Sequence, residues 1–371
     1  MNKIRVLEVI RQGDFGGGES HLIDLVTGFD KDIEPIILSF TSGNMIDVLK
    51  QNNIKCYVIK TSKRLNLLSR SKVIEILKKE KIDLIHSHGT RAAFNILIAT
   101  LFINIPLIYT VHGWSFHKNQ FLLIKKLRIL CEKVICKNSK QVICVSKNNR
   151  DVGINTFNLP NSIVIENGVN LTRFNPNQSN TLHNYFRVNN DDLVIAFIGR
   201  ITKQKSPIEF IKSIELAHYK NSKIKGLIVG EGDLLEEVKE YINKRKINEF
   251  IKLEKFRNDI PQVLKAIDIF VLPSLWEGLS IALIEAMAMK KTIVATPTDG
   301  TREIIVNDHN GIILPFNSPQ KLADVYLDLY NKPDERLFLG ENAYKSIKEQ
   351  FDSRIVCNKV SEVYKNILKC C

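Results

Sequence analysis

Short apolar runs rich in β-branched residues alternate with amphipathic stretches along almost the whole chain. Val6–Ile10, Pro35–Phe40, Cys56–Ile59, Asp83–His86, Leu107–His112 and Gln141–Ser146 read as strands, with helical patterns such as Glu19–Gly28 and Ser71–Lys81 between them. This rhythm predicts a parallel sheet covered by helices on both faces. "ENGVNLTRFNPNQSN", residues 166–180, interrupts it with Asn, Gly, Pro and Ser in no period, as expected of a domain boundary. The alternation then restarts. Val194–Ile198, Lys225–Val229, Ile251–Leu253, Ile269–Leu272, Thr292–Ala295 and Gly311–Leu314 read as strands; Ser206–His218, Leu234–Lys244 and Ile281–Lys290 read as helices. The pattern predicts an α/β chain of two Rossmann-like, doubly wound halves facing a central cleft.

A length of 371 residues agrees with two domains, and 44% hydrophobic with 25% charged residues is the composition of a soluble globular protein. Residues 92–111 are apolar for about the length that spans a bilayer. Asn95, Asn104 and Pro106 interrupt them, which favours a buried helix followed by a central strand. "MNKIRVLEVI" reads as a first strand, not a signal peptide. The seven cysteines (Cys56, Cys131, Cys136, Cys144, Cys357, Cys370 and Cys371) are scattered without CxxC spacing, as expected of reduced, cytosolic thiols. The terminal pair has no targeting context that would favour lipidation.

The net charge of +13 is uneven: residues 1–170 hold 24 Lys and Arg against 14 Asp and Glu, and the remaining 201 hold 29 against 26. A basic first half implies an anionic partner there: nucleic acid, an anionic membrane or a phosphorylated substrate.

Four stretches could carry chemistry. "RQGDFGGGESH", residues 11–21, runs from a strand into a helix, and its three glycines suit backbone N–H contact with a phosphate as well as a simple tight turn. It is neither the dinucleotide fingerprint, since His21 stands where a third glycine belongs, nor a P-loop. "FIGRITKQKSP" places Arg200 after a strand and Lys205 before a helix, with Ser206 as N-cap and Pro207 at the first helical position. Two cations beside a helix N-terminus suit a diphosphate; each alone could be a surface charge. His112 ends a strand in "YTVHGWSFH", where parallel sheets bind ligands. "DIFVLPSLWEGLS" puts Glu277 in a loop past a strand, with Ser280 as candidate N-cap, and Glu285 follows in the next helix. A hydrolase brackets its scissile bond with two carboxylates about 5 to 9.5 Å apart. Here one carboxylate lies beside an anion site and the other farther down a helix, which suits two different sets of hydroxyls. No His/Asp cluster is evident along the chain, so no metal site is expected.

Taken in order, "GGGESHLIDL" (16–25), "TVHGW" (110–114), "VICVS" (142–146), "VIENGVN" (164–170), "IGRITKQKSP" (198–207), "VGEGDL" (229–234), "DIFVLPSLWEGLSIALIEAMA" (268–288) and "GTREII" (300–305) resemble the retaining glycosyltransferases of group 1, family 4. The resemblance covers nearly the whole chain. It implies the GT-B fold, with residues 1–172 as an acceptor-side domain, 173–352 as a nucleotide-sugar domain and 353–371 as a helix returning to the first domain. It also implies site roles. Gly16, Gly17 and Gly18 would close on the donor diphosphate, with Arg200 and Lys205 as its cations. Glu285 would bind the ribose, and Glu277 the sugar hydroxyls. The backbone from Gly278 through Leu279, Ser280 and Ile281 would meet the sugar and phosphates. His112 would lie near the reaction centre and Phe256–Arg257 near the base. Leu279-Ser280, Gly18 and Ser20 depart from the family's commoner residues, which leaves the donor sugar open.

The implied reaction moves a sugar from a nucleotide diphosphate sugar, a UDP-sugar above others, to an acceptor hydroxyl with retention of configuration. The donor is a co-substrate, and neither cofactor nor metal is expected. Negative charge grows on the β-phosphate, and one lost stabilising donor costs about 10²–10³ in rate. Lys125, Lys126, Arg128 and Lys133 mark a basic helix in 121–140, and residues 60–81 add Lys60, Lys63, Arg64, Arg70, Lys72, Lys78, Lys79 and Lys81. Either these are solvated faces, or the domain docks from the cytoplasm on an anionic bilayer carrying a lipid-linked acceptor, as in surface-polysaccharide assembly. A nucleic-acid-binding protein would explain the charge, yet no recognised module is present and the glutamates and glycine loop would have no role. An epimerase or phosphorylase on the same fold is the nearer alternative.

Overall fold

The computed structural model describes residues 3–13, 16–60, 69–100, 103–117, 120–179, 182, 185, 189 and 191–369. Lys63, Arg64, Cys370 and Cys371 lie outside them. The chain divides into two compact units, Met1–Gly168 with Ser353–Cys371, and Val169–Asp352.

The first unit is a parallel sheet of β1 (Ile4–Ile10), β2 (Ile33–Ser39), β3 (Lys55–Val58), β4 (Leu84–His88), β5 (Leu107–Val111), β6 (Gln141–Cys144) and β7 (Ser162–Val164), in the order β3-β2-β1-β4-β5-β6-β7. Its helices are α1 (Gly17–Gly28), α2 (Asn44–Gln51), α3 (Ser69–Lys79), α4 (Thr90–Thr100), α5 (Leu122–Lys137) and α6 (Lys147–Phe157). The second unit has β8 (Leu193–Ile198), β9 (Ile224–Val229), β10 (Ile251–Glu254), β11 (Ile269–Leu272), β12 (Thr292–Ala295) and β13 (Ile312–Ile313), in the order β10-β9-β8-β11-β12-β13. Its helices are α7 (Pro207–Lys220), α8 (Leu235–Arg245), α9 (Ile260–Ala266), α10 (Ile281–Ala288), α11 (Asp299–Ile304), α12 (Pro319–Asn331) and α13 (Pro333–Lys348). A last helix, α14 (Ser353–Lys369), belongs to the first unit.

Each sheet is buried on both faces, and strand pleating sorts its side chains. In the first unit, Leu7, Val9, Ile85, Tyr109 and Val111 join Val73, Ile76, Ala92 and Ile96 of α3 and α4 in one core. On the opposite face Val6, Leu84, Ile108 and Ile143 join Leu25 of α1 and Val356, Cys357, Val360 and Tyr364 of α14. The second face also carries polar residues. Glu8 pairs in register with His86, and His88 with Thr110.

Several local expectations are corrected. Ser206 is not a side-chain N-cap: it sits left-handed (φ 53°) with no capping bond. Ser280 does precede α10 in extended conformation, but its hydroxyl makes no capping bond either. β7 is a strand that the apolar pattern does not predict, and β13 is two residues long rather than spanning Gly311–Leu314. The apolar stretch 92–111 resolves into α4 and β5, and no described helix is long and apolar enough to cross a membrane. None of the five described cysteines is in a disulfide.

Candidate functional site

Both strand orders reverse direction once. In the second unit the switch falls between β8 and β11, and ligands of such sheets bind beyond the carboxyl ends of the strands at that point. Arg200 and Lys205 follow β8; Glu277 and Gly278 follow β11. Lys205 Nζ meets Glu277 Oε1 at 2.6 Å, with both side chains about one-tenth exposed (11% and 9%). The two loops are tied further by Gln204, whose side-chain nitrogen donates to the Trp276 carbonyl (2.8 Å) and whose own carbonyl accepts from the Leu275 N–H (2.8 Å). Gln204 was not among the sequence candidates; it follows Lys203 with no motif of its own.

The glutamate loop is held from below as well. Thr296, just past β12, donates through Oγ1 to the Ser274 carbonyl (2.5 Å). Gly300 lies against the Gly278–Leu279 backbone so closely that a Cβ would overlap the Gly278 carbonyl oxygen and sit 2.9 Å from Leu279 Cα. The loop then enters α10 at Ile281, and Glu285 is buried one turn in. Arg200 is exposed. Phe256 and Arg257 follow β10, at the far side of the sheet order. Arg257 forms a two-pronged pair with Asp259 (2.8 and 2.6 Å) that holds the Asp259 carboxyl below its usual range. Thus Lys205 and Glu277 come together, while Arg257 is engaged by its own neighbour.

In the first unit the switch lies between β1 and β4. Gly16–Gly18 open α1 after β1, and His112 directly follows β5. A Cβ on Gly18 would lie 3.8 Å from the His112 ring, so the two candidates are neighbours. Around them is a group that reading along the chain missed. His88 Nε2 lies 2.8 Å from Glu8 Oε2, and His88 Nδ1 lies 3.2 Å from His112 Nε2. Tyr364 donates to Glu8 Oε1 (2.7 Å) and lies 2.6 Å from His86 Nδ1; His86 Nε2 lies 2.6 Å from Thr110 Oγ1. His21 of α1 approaches edge-on, its ring centroid 5.2 Å from that of His112. Burial lowers His21 to about 3 and holds His86 and His112 well below the usual histidine range, with neighbouring histidines adding repulsion. The structure thus holds a His/Glu group that no local motif announces. The ligand atoms of His21, His88 and His112, and of Glu8, His86 and His88, each lie within 4.8 Å of one another, close enough to hold a cation. Distant strands bring these residues together. The only local signals were a glutamate inside an apolar strand and two histidines at i and i+2 in "IHSHG".

The basic helix α5 has an unexpected face. Phe121, Leu122, Leu123, Leu127 and Leu130 are 56–72% exposed, with Ile124 and Val134 also exposed. Lys126, Lys133 and Lys137 are exposed beside them, while Arg128 turns back to the Ser115 carbonyl at 2.7 Å. The inner face is anchored by buried Glu132, which accepts from Tyr109, Thr90 and the Ser115 N–H.

Comparison with known proteins finds the family "Glycosyl transferases group 1" matching residues 178–346 and "Glycosyltransferase Family 4" matching residues 15–173. Over 340 residues the chain is 27% identical to the UDP-Gal:alpha-D-GlcNAc-diphosphoundecaprenol alpha-1,3-galactosyltransferase of Escherichia coli, covering 87% of this chain and 86% of that protein. It is 26% identical to the capsular polysaccharide biosynthesis glycosyltransferase CapM of Staphylococcus aureus, covering 82% of each. In structure it is similar to Anabaena HepE, solved in complex with UDP and glucose (TM-score 0.85, 21% identity, 98% of this chain and 100% of that one).

Proposed function

The chain belongs to the group 1 glycosyltransferases, enzymes of GT-B fold acting on nucleotide sugars, and from that premise we propose that it transfers a sugar from a UDP-sugar to a hydroxyl of a lipid-linked saccharide, with retention of configuration and without a metal. The observation that carries this reading is the Lys205–Glu277 pair at the strand switch of the second unit. There a cation for the β-phosphate and a carboxylate for sugar hydroxyls are held side by side, ahead of the α10 N-terminus. As the bond to the leaving diphosphate breaks, Arg200, Lys205 and the amides leading into α10 meet the growing negative charge. Glu285 binds the ribose hydroxyls, and Phe256–Arg257 lie by the base. Gly16–Gly18 contact the diphosphate, and His112 the donor sugar.

The acceptor reading draws on α5. Its apolar row, flanked by lysines, has the composition of a helix that lies in the interface of an anionic bilayer. The Escherichia coli relative's name describes a diphosphoundecaprenol-linked acceptor, which supports the same class here. The protein is accordingly assigned to the cytoplasmic face of the cell membrane, bound peripherally.

A thermal-shift panel of UDP, GDP, ADP and their sugars, followed by acceptor screening, tests the donor assignment. Arg200→Ala, at an exposed position, is expected to stay folded and to lose about 10²–10³ in transfer rate, with wild type active after EDTA treatment. Wild-type turnover in Arg200→Ala would overturn the diphosphate assignment, and activity strictly dependent on added metal would overturn the metal-free mechanism.

A further inference from the structure

We infer that Glu8 and His88 are positioning residues that fix His112 in one tautomer, with its Nδ1 bare and presented as a hydrogen-bond acceptor. With one hydrogen on each imidazole, the hydrogen-bond geometry leaves only this arrangement. Tyr364 donates its hydroxyl hydrogen to Glu8 Oε1. His86 Nδ1, 2.6 Å from that phenol oxygen and 3.3 Å from Glu8 Oε2, can then only donate. Its bare Nε2 accepts from Thr110, which closes that branch. On the other branch Glu8 Oε2 needs a hydrogen from His88 Nε2, so His88 Nδ1 is bare. A bare His88 Nδ1 at 3.2 Å accepts from His112 Nε2–H. The remaining hydrogen-bonding atom, His112 Nδ1, is buried and has no hydrogen-bond partner among the described residues. Burial also keeps the ring neutral at ordinary pH, so that lone pair stays available.

The chain of bonds runs from a fully buried carboxylate in β1, through the end of β4, to the residue after β5. It converts the fixed charge of Glu8 into a fixed direction at His112. An acceptor at Nδ1 selects a ligand group that carries a hydrogen, such as a sugar hydroxyl. This consequence rests on the proposed reading of His112 as facing the donor sugar; the tautomer itself does not. The same bonds already engage both nitrogens of His88 and both oxygens of Glu8, so a bound cation would have to replace them.

Nitrogen-15 NMR of imidazole-labelled full-length protein reads the tautomer directly. The expected spectrum has His112 with protonated Nε2 and bare Nδ1 at neutral pH; the opposite tautomer or an imidazolium would overturn the inference. So would about one equivalent of tightly bound zinc by elemental analysis of the purified protein. Two variants add a second test. His88→Gln keeps a carbonyl that can accept from His112 Nε2–H, whereas His88→Leu removes the acceptor. The glutamine variant is expected to hold the tautomer and exceed the leucine variant in kcat about tenfold with UDP-sugar donors, the scale of one hydrogen bond. An unchanged His112 tautomer in His88→Leu would overturn the relay. A changed tautomer with equal turnover in both variants would leave the relay standing and overturn the sugar-facing role of His112.

Discussion

Lys205 and Glu277 hold each other at 2.6 Å in a setting that water barely reaches. Breaking such a pair leaves one charge buried and uncompensated, at a cost of about 3–5 kcal/mol, whereas replacing both partners by apolar residues is close to neutral. Lys205→Met should therefore lower the melting temperature markedly, and adding Glu277→Leu should recover most of it with activity still absent. Thermal denaturation of the single and double variants checks this. The histidines predict a pH effect of definite sign. His21 is held at about 3 and His86 well below its ordinary value, chiefly by burial. In the unfolded chain both titrate near 6.5, so below that pH the unfolded state binds protons that the fold refuses. Stability is thus fully present above about pH 6.5 and falls with acid, by about 1.4 kcal/mol per pH unit for each such histidine. Denaturant titrations at stepped pH measure the slope, and His21→Leu should reduce it. Glu277, Glu285, Arg200 and Lys205 stand out as candidates in local motifs because each sits at a fixed offset from a strand or a helix start. Glu8, His21 and His88 could not be related to His112 in that way, since the strand order, and for His21 the placement of α1, makes them neighbours.

At the scale of elements, the loop carrying Glu277 takes its shape from three supports: Gln204 beside it, Thr296 beneath it and Gly300 against its backbone. Gly300→Ala would push a methyl into the Gly278 carbonyl and must shift the loop. The expected result is a folded protein with a kcat reduced by tenfold or more, since misplacement by about 1 Å can cost 10²-fold. Circular dichroism together with kinetics checks it, and wild-type kcat would show that the loop tolerates the shift. Most strands and helices were legible because central strands of a parallel sheet are continuous apolar runs. β7 was not, because a three-residue, half-exposed edge strand has neither the length nor the apolarity of the others. The expectation that Ser206 caps α7 fails for a related reason. A serine before proline suggests N-cap chemistry, but its left-handed backbone and its neighbour Glu209, which receives the Ser318 N–H at 2.6 Å, were set by tertiary packing.

For the whole molecule, the excess of positive charge and the exposed row on α5 point the same way. Composition showed the charge but not the row, because an exposed leucine and a core leucine are the same letter in a sequence. Co-sedimentation with phosphatidylglycerol vesicles should show binding at low salt that weakens at high salt yet persists in part through the apolar row. Leu123→Ser with Leu127→Ser should remove the salt-resistant part and leave the folded protein in the supernatant. Binding that is absent at low salt would overturn the docking role. One more property of the molecule follows from α14, whose Tyr364, Val356 and Val360 complete the first unit's sheet face. Along the chain, residues 169–352 come between the strands of that face and the helix that covers it. During translation the second unit therefore emerges whole while the first still waits, its Glu8 without its phenol and Val6, Leu25 and Ile108 without their cover. Domains ordinarily mature in the order they are made. Here the first to be synthesised is the last to be finished, and the ribosome must deliver the chain as far as Tyr364 before the histidine cluster can close.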